Sequence, residues 1–164
     1  MIVTINTDAS WSPTKKGASF AFWIVSNAGK IAKSGIQKYP ADSADIAEIR
    51  CIINAMYCLS FSKWEGVSKI IINTDSLNSC HVLRNDQQKI KRYRLQGKEF
   101  SQLRRKFNKL NPGNIQVEFR HVRAHTTTST ARTWVNQWCD DEAKKQLIKW
   151  HQTIKANEQS NNIQ

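Results

Sequence analysis

Ile5-Asn6-Thr7-Asp8 and Ile72-Asn73-Thr74-Asp75 are the same four residues, and each copy closes an apolar, β-branched run: Ile2, Val3 and Ile5, then Ile70, Ile71 and Ile72. Continuous Ile/Val runs read as strands covered on both faces, the habit of parallel sheets, in which neighbouring strands lie roughly 4.7 to 4.9 Å apart. If the two copies are parallel neighbours in matched register, Asp8 and Asp75 stand side by side. Carboxylates that close repel each other unless they share a proton or cations, and the ions of two-metal sites stand about 3.5 to 4 Å apart. The repeat therefore points to a metal site at the ends of two strands.

Outward from the repeat, the loop Ala9 to Gly17 is turn-rich, and Ala18 to Ser26, with Phe20, Phe22, Trp23 and Val25, reads as a second strand. Asn27-Ala28-Gly29 is a hairpin turn into a third, antiparallel strand from Lys30 to about Lys38. Pro40 and Asp42-Ser43 supply helix-start chemistry. Ile49, Ile52, Ile53, Met56 and Leu59 then recur at helical spacing, predicting a helix from about Ala44 to Ser60 with Glu48 near its N-terminal end. The fourth strand, Lys69 to Thr74, delivers Asp75.

A second helical region begins at Ser76. From Arg84 to Lys109 there are ten basic residues against Asp86 and Glu99, which is eight of the chain's twelve net positive charges. Phe100, Leu103, Phe107 and Leu110 give its second half an apolar stripe and leave a basic outer face. Ile115 to Val122 alternates as a fifth strand, a Thr/Ser-rich loop follows, and a last helix is expected from Trp134 to about Lys155. The fold class expected is α/β: a five-stranded mixed sheet, three antiparallel N-terminal strands and then parallel ones, with helices on both faces. Such sheets bind ligands beyond the carboxyl ends of their parallel strands, where Asp8 and Asp75 sit.

At 164 residues and 40% hydrophobic content, one domain over residues 1–155 is expected, with 156–164 a polar, disordered tail. A net charge of +12 points to a polyanionic partner, nucleic acid ahead of an anionic membrane. No stretch approaches the roughly 18 apolar residues of a membrane span and the N-terminus has no signal-peptide pattern, so a cytoplasmic protein, monomeric and without membrane partners, is expected. Cys51, Cys58, Cys80 and Cys139 have neither zinc nor disulfide spacing and read as reduced, buried thiols.

Each acid also has a plainer reading. Asp75 could be a helix cap, and Glu48 could complement a helix dipole. Asp140, Asp141 and Glu142 are adjacent on a helix, so no more than two of them face inward. Trp134 and Trp138 read as core; Trp11 and Tyr93 are better placed to touch nucleic acid; His81, His121 and His151 read as structural.

With Asp8-Ala9-Ser10, Glu48 early in the first helix, Thr74-Asp75-Ser76 after the fourth strand, and His125 followed by Asn136-Gln-Trp-Cys-Asp140, the chain resembles type 1 ribonuclease H over about Ile2 to Lys149. The resemblance implies a ribonuclease H-like fold, four carboxylates (Asp8, Glu48, Asp75 and Asp140) holding two Mg²⁺ ions or Mn²⁺ in their place, and hydrolysis of the RNA strand of an RNA/DNA hybrid to 5′-phosphate and 3′-hydroxyl ends. It implies that His125 is the mobile-loop histidine assisting catalysis, that Ser43 stands at a phosphate-binding position, that Asn136 lies near the scissile group, and that Ser10 touches the RNA strand. Lys89, Lys91, Arg92 and Arg94 keep the charge of a basic nucleic-acid-binding protrusion. Ala44 and Asp45 depart from the family, which usually has Asn or Gln there, and this leaves open a nuclease of the same fold acting on branched or structured DNA; a further alternative is a non-catalytic nucleic-acid-binding module in which the acids are out of use.

Overall fold

The computed structural model of the chain describes residues 1–111, 115–122 and 131–161. Among the described residues five strands, β1 (Ile2–Asp8), β2 (Ser19–Ser26), β3 (Gly29–Ile36), β4 (Lys69–Thr74) and β5 (Gln116–His121), form one sheet in the order β3-β2-β1-β4-β5. The pairs β1–β2 and β2–β3 are antiparallel, and β4 and β5 run parallel to β1. Among the described residues five helices accompany the sheet: α1 (Ala44–Ser60), α2 (Leu77–Leu83), α3 (Gln87–Arg92), α4 (Lys98–Leu110) and α5 (Ala131–Asn161).

The register expected from the repeat is the register found. Ile5 pairs with Ile72 and Asn6 with Asn73, so the two copies of the tetrapeptide lie in step and both deliver Asp at the same end of the sheet. The Asn residues have a structural use of their own: both are buried, and Asn73 Nδ2 donates to Asn6 Oδ1 at 2.8 Å. Asn73→Leu strands a buried acceptor, so it is expected to cost about 1–3 kcal/mol, and removing both amides should cost less than that single change. Urea denaturation of Asn73→Leu and of Asn6→Leu/Asn73→Leu checks this ordering.

The two faces of the sheet can be read from β2. Phe22 and Ile24 point into the main core with Ile49, Ile52 and Met56 of α1, whereas Ala21 points the other way, against Cys139 and Ala143 of α5. Helix α1 is buried nearly all round because α4 covers its far side with Leu103 and Phe107. On the other face the small residues Ala21, Cys139 and Ala143 let α5 approach closely, and Ser19 Oγ donates to Ala143 O at 2.5 Å. That approach brings Asp140, next to Cys139, to the end of β1.

The segment after β4 is three short helices where the sequence suggests one long region. Ser76 caps α2 and Asp86 caps α3, each side chain accepting an amide of the first turn. Both helices end in Schellman turns, with Asn85 and Arg94 in the left-handed region at φ 59° and 55°. Helix α5 is longer than expected at both ends, beginning at Ala131 and continuing through Asn161, past the expected stop near Lys155. Ala156, Glu158 and Gln159 suit a helix, and Glu158 pairs with Lys15 Nζ at 3.0 Å. Trp134, expected in the core, is 58% exposed and meets Trp23 edge-on.

Candidate metal centre

Three elements end at one place. Asp8 closes β1, Asp75 follows β4, and Glu48 stands one turn into α1, where Ser43 caps the helix by accepting from Ile46 N at 3.2 Å. Each of the three acids brings a carboxylate oxygen within 4.8 Å of those of the other two. The Ala9 amide serves two of them, donating to Asp8 Oδ1 at 2.8 Å and to Glu48 Oε1 at 3.1 Å. Behind them Cys51 Sγ donates to Asp8 O at 3.2 Å, and His121 Nε2 lies 2.9 Å from Asp75 O, so backbone contacts brace both strand ends.

The plainer readings fare poorly at this site. The cap of α2 is Ser76 and not Asp75, so capping does not explain that carboxylate. Glu48 is buried, and among the described residues its Oε2 has no hydrogen-bond partner. A buried carboxylate oxygen without a donor is costly unless a cation compensates it.

Repulsion is visible in the proton affinities. Burial, followed by the charges of Asp75 and Asp140, pushes the Asp8 carboxyl up to about 7. Burial, followed by Asp8 and Asp75, lifts Glu48 well above the usual carboxylate range. Without a cation both groups are biased toward their protonated forms, and a divalent ion relieves both at once. The orphaned Glu48 Oε2 and an all-oxygen donor set fit a hard divalent ion such as Mg²⁺.

Asp140 joins from α5. Its charge adds to that of Asp75 in raising the Asp8 carboxyl, and its Oδ2 is held by Lys144 Nζ at 2.6 Å. Its neighbours turn elsewhere: Asp141 accepts from Gln137, and Glu142 from Ser34 and Lys145. Lys144, one helical turn beyond Asp140, is a site residue that sequence reading missed, although an acid and a lysine four apart on a helix is a readable pairing signal.

The remaining candidates are not among the grouped acids. Ser10 and Asn136 are partly buried, and Ser43 is occupied as the α1 cap. Lys91, Arg92 and Arg94 are exposed on and just after α3, with Lys89 partly covered. Asp45, the departure from the family pattern, accepts from Asn78 Nδ2 at 3.3 Å. Trp11 is committed to the fold, its Nε1 donating to Ala41 O at 2.8 Å, while Tyr93 is 45% exposed and stacks on His81. His125 lies outside the described residues. Among the described residues, no helix is long and apolar enough to cross a membrane.

Known structures share this architecture. RNase H1 from the halophilic archaeon Halobacterium salinarum NRC-1 superposes with a TM-score of 0.63 at 17% identity, covering 91% of this chain and 99% of that one. The N-terminal RNase H domain of rv2228c from Mycobacterium tuberculosis, solved as a fusion with maltose binding protein, gives 0.69 at 13% identity, covering 93% and 98%. LC11-RNase H1, solved in complex with RNA/DNA hybrid, gives 0.65 at 15% identity, covering 90% and 97%. No curated protein matches the sequence. At these identities the likeness establishes the five-stranded fold. The sequence itself matches the family described as RNase H over residues 1–148, nearly the whole chain, and so the chain belongs to the RNase H family.

Proposed function

We propose that the chain is a metal-dependent endonuclease that hydrolyses the RNA strand of RNA/DNA hybrids, leaving 5′-phosphate and 3′-hydroxyl ends. The observation that carries this reading is the convergence of Asp8, Glu48 and Asp75, from three separate elements, at the carboxyl ends of the parallel strands of an RNase H-family chain of net charge +12. A solved neighbour in complex with RNA/DNA hybrid supports the choice of substrate.

Two divalent ions, Mg²⁺ or Mn²⁺, would be held by Asp8, Glu48, Asp75 and Asp140. When bound, such ions supply an acidified water and offset the charge that develops on the phosphate. The chain's own residues do the positioning. Asp8 and Asp75 would face the phosphate from paired strands whose register the buried Asn6–Asn73 hydrogen bond fixes. Glu48, anchored on the Ala9 amide, leaves Oε2 for coordination. Lys89, Lys91, Arg92 and Arg94 would hold the backbone of the duplex, Ser10, Ser43 and Asn136 would contact the strand near the cleavage point, and His125 would assist proton transfer or product departure.

Labelled hybrid, duplex RNA, duplex DNA and a branched DNA, each incubated with Mg²⁺, test the proposal. Cleavage confined to the RNA strand of the hybrid, abolished by chelation, is the expected result. Cleavage of the branched DNA alone would transfer the same site to structured DNA, a preference that the Asp45 carboxylate would favour. Tight hybrid binding without hydrolysis would make the chain a binding module.

A further inference from the structure

The loop between β1 and β2 continues their ladder: Ser19 N donates to Ser10 O at 2.8 Å, Trp11 bridges Ala18, and Ser12 N donates to Gly17 O at 2.9 Å. It begins at Ala9, whose amide holds Asp8 and Glu48, and it carries Ser10. Near its tip Lys16 is in the left-handed region at φ 52°, a conformation that persists in a residue with a side chain only where surrounding contacts fix it. One such contact is Ala41 N, donating to Lys16 O at 2.8 Å. Helix α5 supplies the others. The indole of Trp150 lies so closely on Gly17 that a Cβ there would meet Cη2 at 2.1 Å and Cζ3 at 2.2 Å, and further along the helix Glu158 pairs with Lys15 Nζ at 3.0 Å. That ion pair is exposed on both sides and therefore weak, so the packed indole is the contact that holds.

The family match ends at residue 148, whereas α5 runs on to Asn161. Trp150 and Glu158 therefore lie outside the match, yet they rest on the loop that leads out of the metal centre. We infer that Trp150 is a positioning residue: laid on the Gly17 backbone, it fixes the Ala9 to Gly17 loop in the conformation that presents Ser10 to the nucleic-acid strand. The extension of α5 then belongs to the substrate-binding apparatus. Without the indole the loop spends part of its time elsewhere, and hybrid binds only to the competent fraction, which raises KM by the reciprocal of that fraction. The acids keep supports of their own, the Ala9 amide and the paired Asn6 and Asn73, so kcat is held. The inference rests on the nuclease reading proposed above.

The test compares the native full chain with Trp150→Ala, Gly17→Ala, the two together, and Trp150→Phe, in steady-state cleavage of labelled hybrid at saturating Mg²⁺. Circular dichroism verifies that each is folded, and amide hydrogen exchange at Ser12 and Ser19 reports opening of the loop. The nearest atoms that a methyl on Gly17 would meet all belong to the Trp150 ring, so Gly17→Ala displaces the indole and should act like its removal. Each of these two single variants is expected to raise KM by about three- to tenfold with kcat within about twofold of native, and to speed exchange at both amides. Trp150→Phe should lie within about twofold of native in KM. The double variant should be no worse than Trp150→Ala, because the ring that the methyl would strike is gone. If one single variant does not fold, the other carries the comparison. KM unchanged in Trp150→Ala and Gly17→Ala, or effects that multiply in the double variant, would overturn the role of Trp150 and leave the nuclease reading standing. A native chain that leaves hybrid uncut would overturn both.

Discussion

Asp8→Asn is expected to slow hybrid cleavage by about three orders of magnitude or more, and at the same time to make the metal-free protein more stable at pH 8 by on the order of 1–3 kcal/mol. The loss follows from removing a carboxylate of the proposed metal centre. The gain follows from proton linkage. Asp8 has an ordinary value of 3.8 and is pushed up to about 7 in the fold, first by burial and then by Asp75 and Asp140. Between about pH 4 and pH 7 the native state therefore keeps a proton that the unfolded chain has released, and stability falls as pH rises through that window. Below pH 4 both states are protonated and Asp8 contributes no difference; above pH 7 the full penalty is present. Asn carries no charge at any pH, so the gain of Asp8→Asn should be absent at pH 4 and complete by pH 8. Glu48, raised in the same direction, leaves part of the slope behind in the variant. Urea denaturation in chelator at pH 4, 6 and 8 measures this, and equal stability of variant and native protein at pH 8 would show that the acids do not strain the fold. Saturating Mg²⁺ should reverse the order by stabilising the native protein alone.

Lys91→Ala/Arg92→Ala/Arg94→Ala is expected to weaken hybrid binding by about 10- to 100-fold at low salt, and to flatten the dependence of log K on log salt by about 2 to 3, close to 0.9 for each phosphate that the variant no longer neutralises. All three side chains are exposed, and Leu95 behind them is buried, so the chain around Arg94 is pinned and the charges are presented outward. Arg105, Lys106 and Lys109 on the outer face of α4 form the control set. If their replacement flattens the slope and the first triple leaves it unchanged, the duplex lies along α4 instead. Fluorescence anisotropy with a catalytically silent Asp75→Asn background separates binding from cleavage.

Much of this was legible in the sequence because the signals were local and reinforced one another. A repeated tetrapeptide sets the β1–β4 register, since a slip of one residue would part the buried Asn6–Asn73 hydrogen bond and set an amide against an isoleucine. Helix α1 spans Ala44–Ser60 as expected, because Pro40 and Ser43 mark its start and its apolar spacing is unbroken. The stripe of Phe100, Leu103, Phe107 and Leu110 lies against the core as the periodicity required. What was not legible depended on tertiary contacts. Trp134 is apolar enough for a core but sits where α5 begins, outside the small-residue contact of Ala21, Cys139 and Ala143. Trp11 sits in a polar loop, yet its indole is consumed by Ala41. The extension of α5 owes something to Lys15, far away in sequence, meeting Glu158. At the centre itself, the choice between Asp75 and Ser76 as cap turns on the helix beginning at Leu77, a boundary that no spacing rule decides to one residue.

Anomalous diffraction from crystals soaked in Mn²⁺ addresses the carboxylate centre most directly. A peak is predicted within coordination distance of Asp8, Glu48 and Asp75 together. Data showing Mn²⁺ at none of these oxygens, in a crystal where the three side chains are ordered, would contradict the assignment of a metal centre to the ends of β1 and β4.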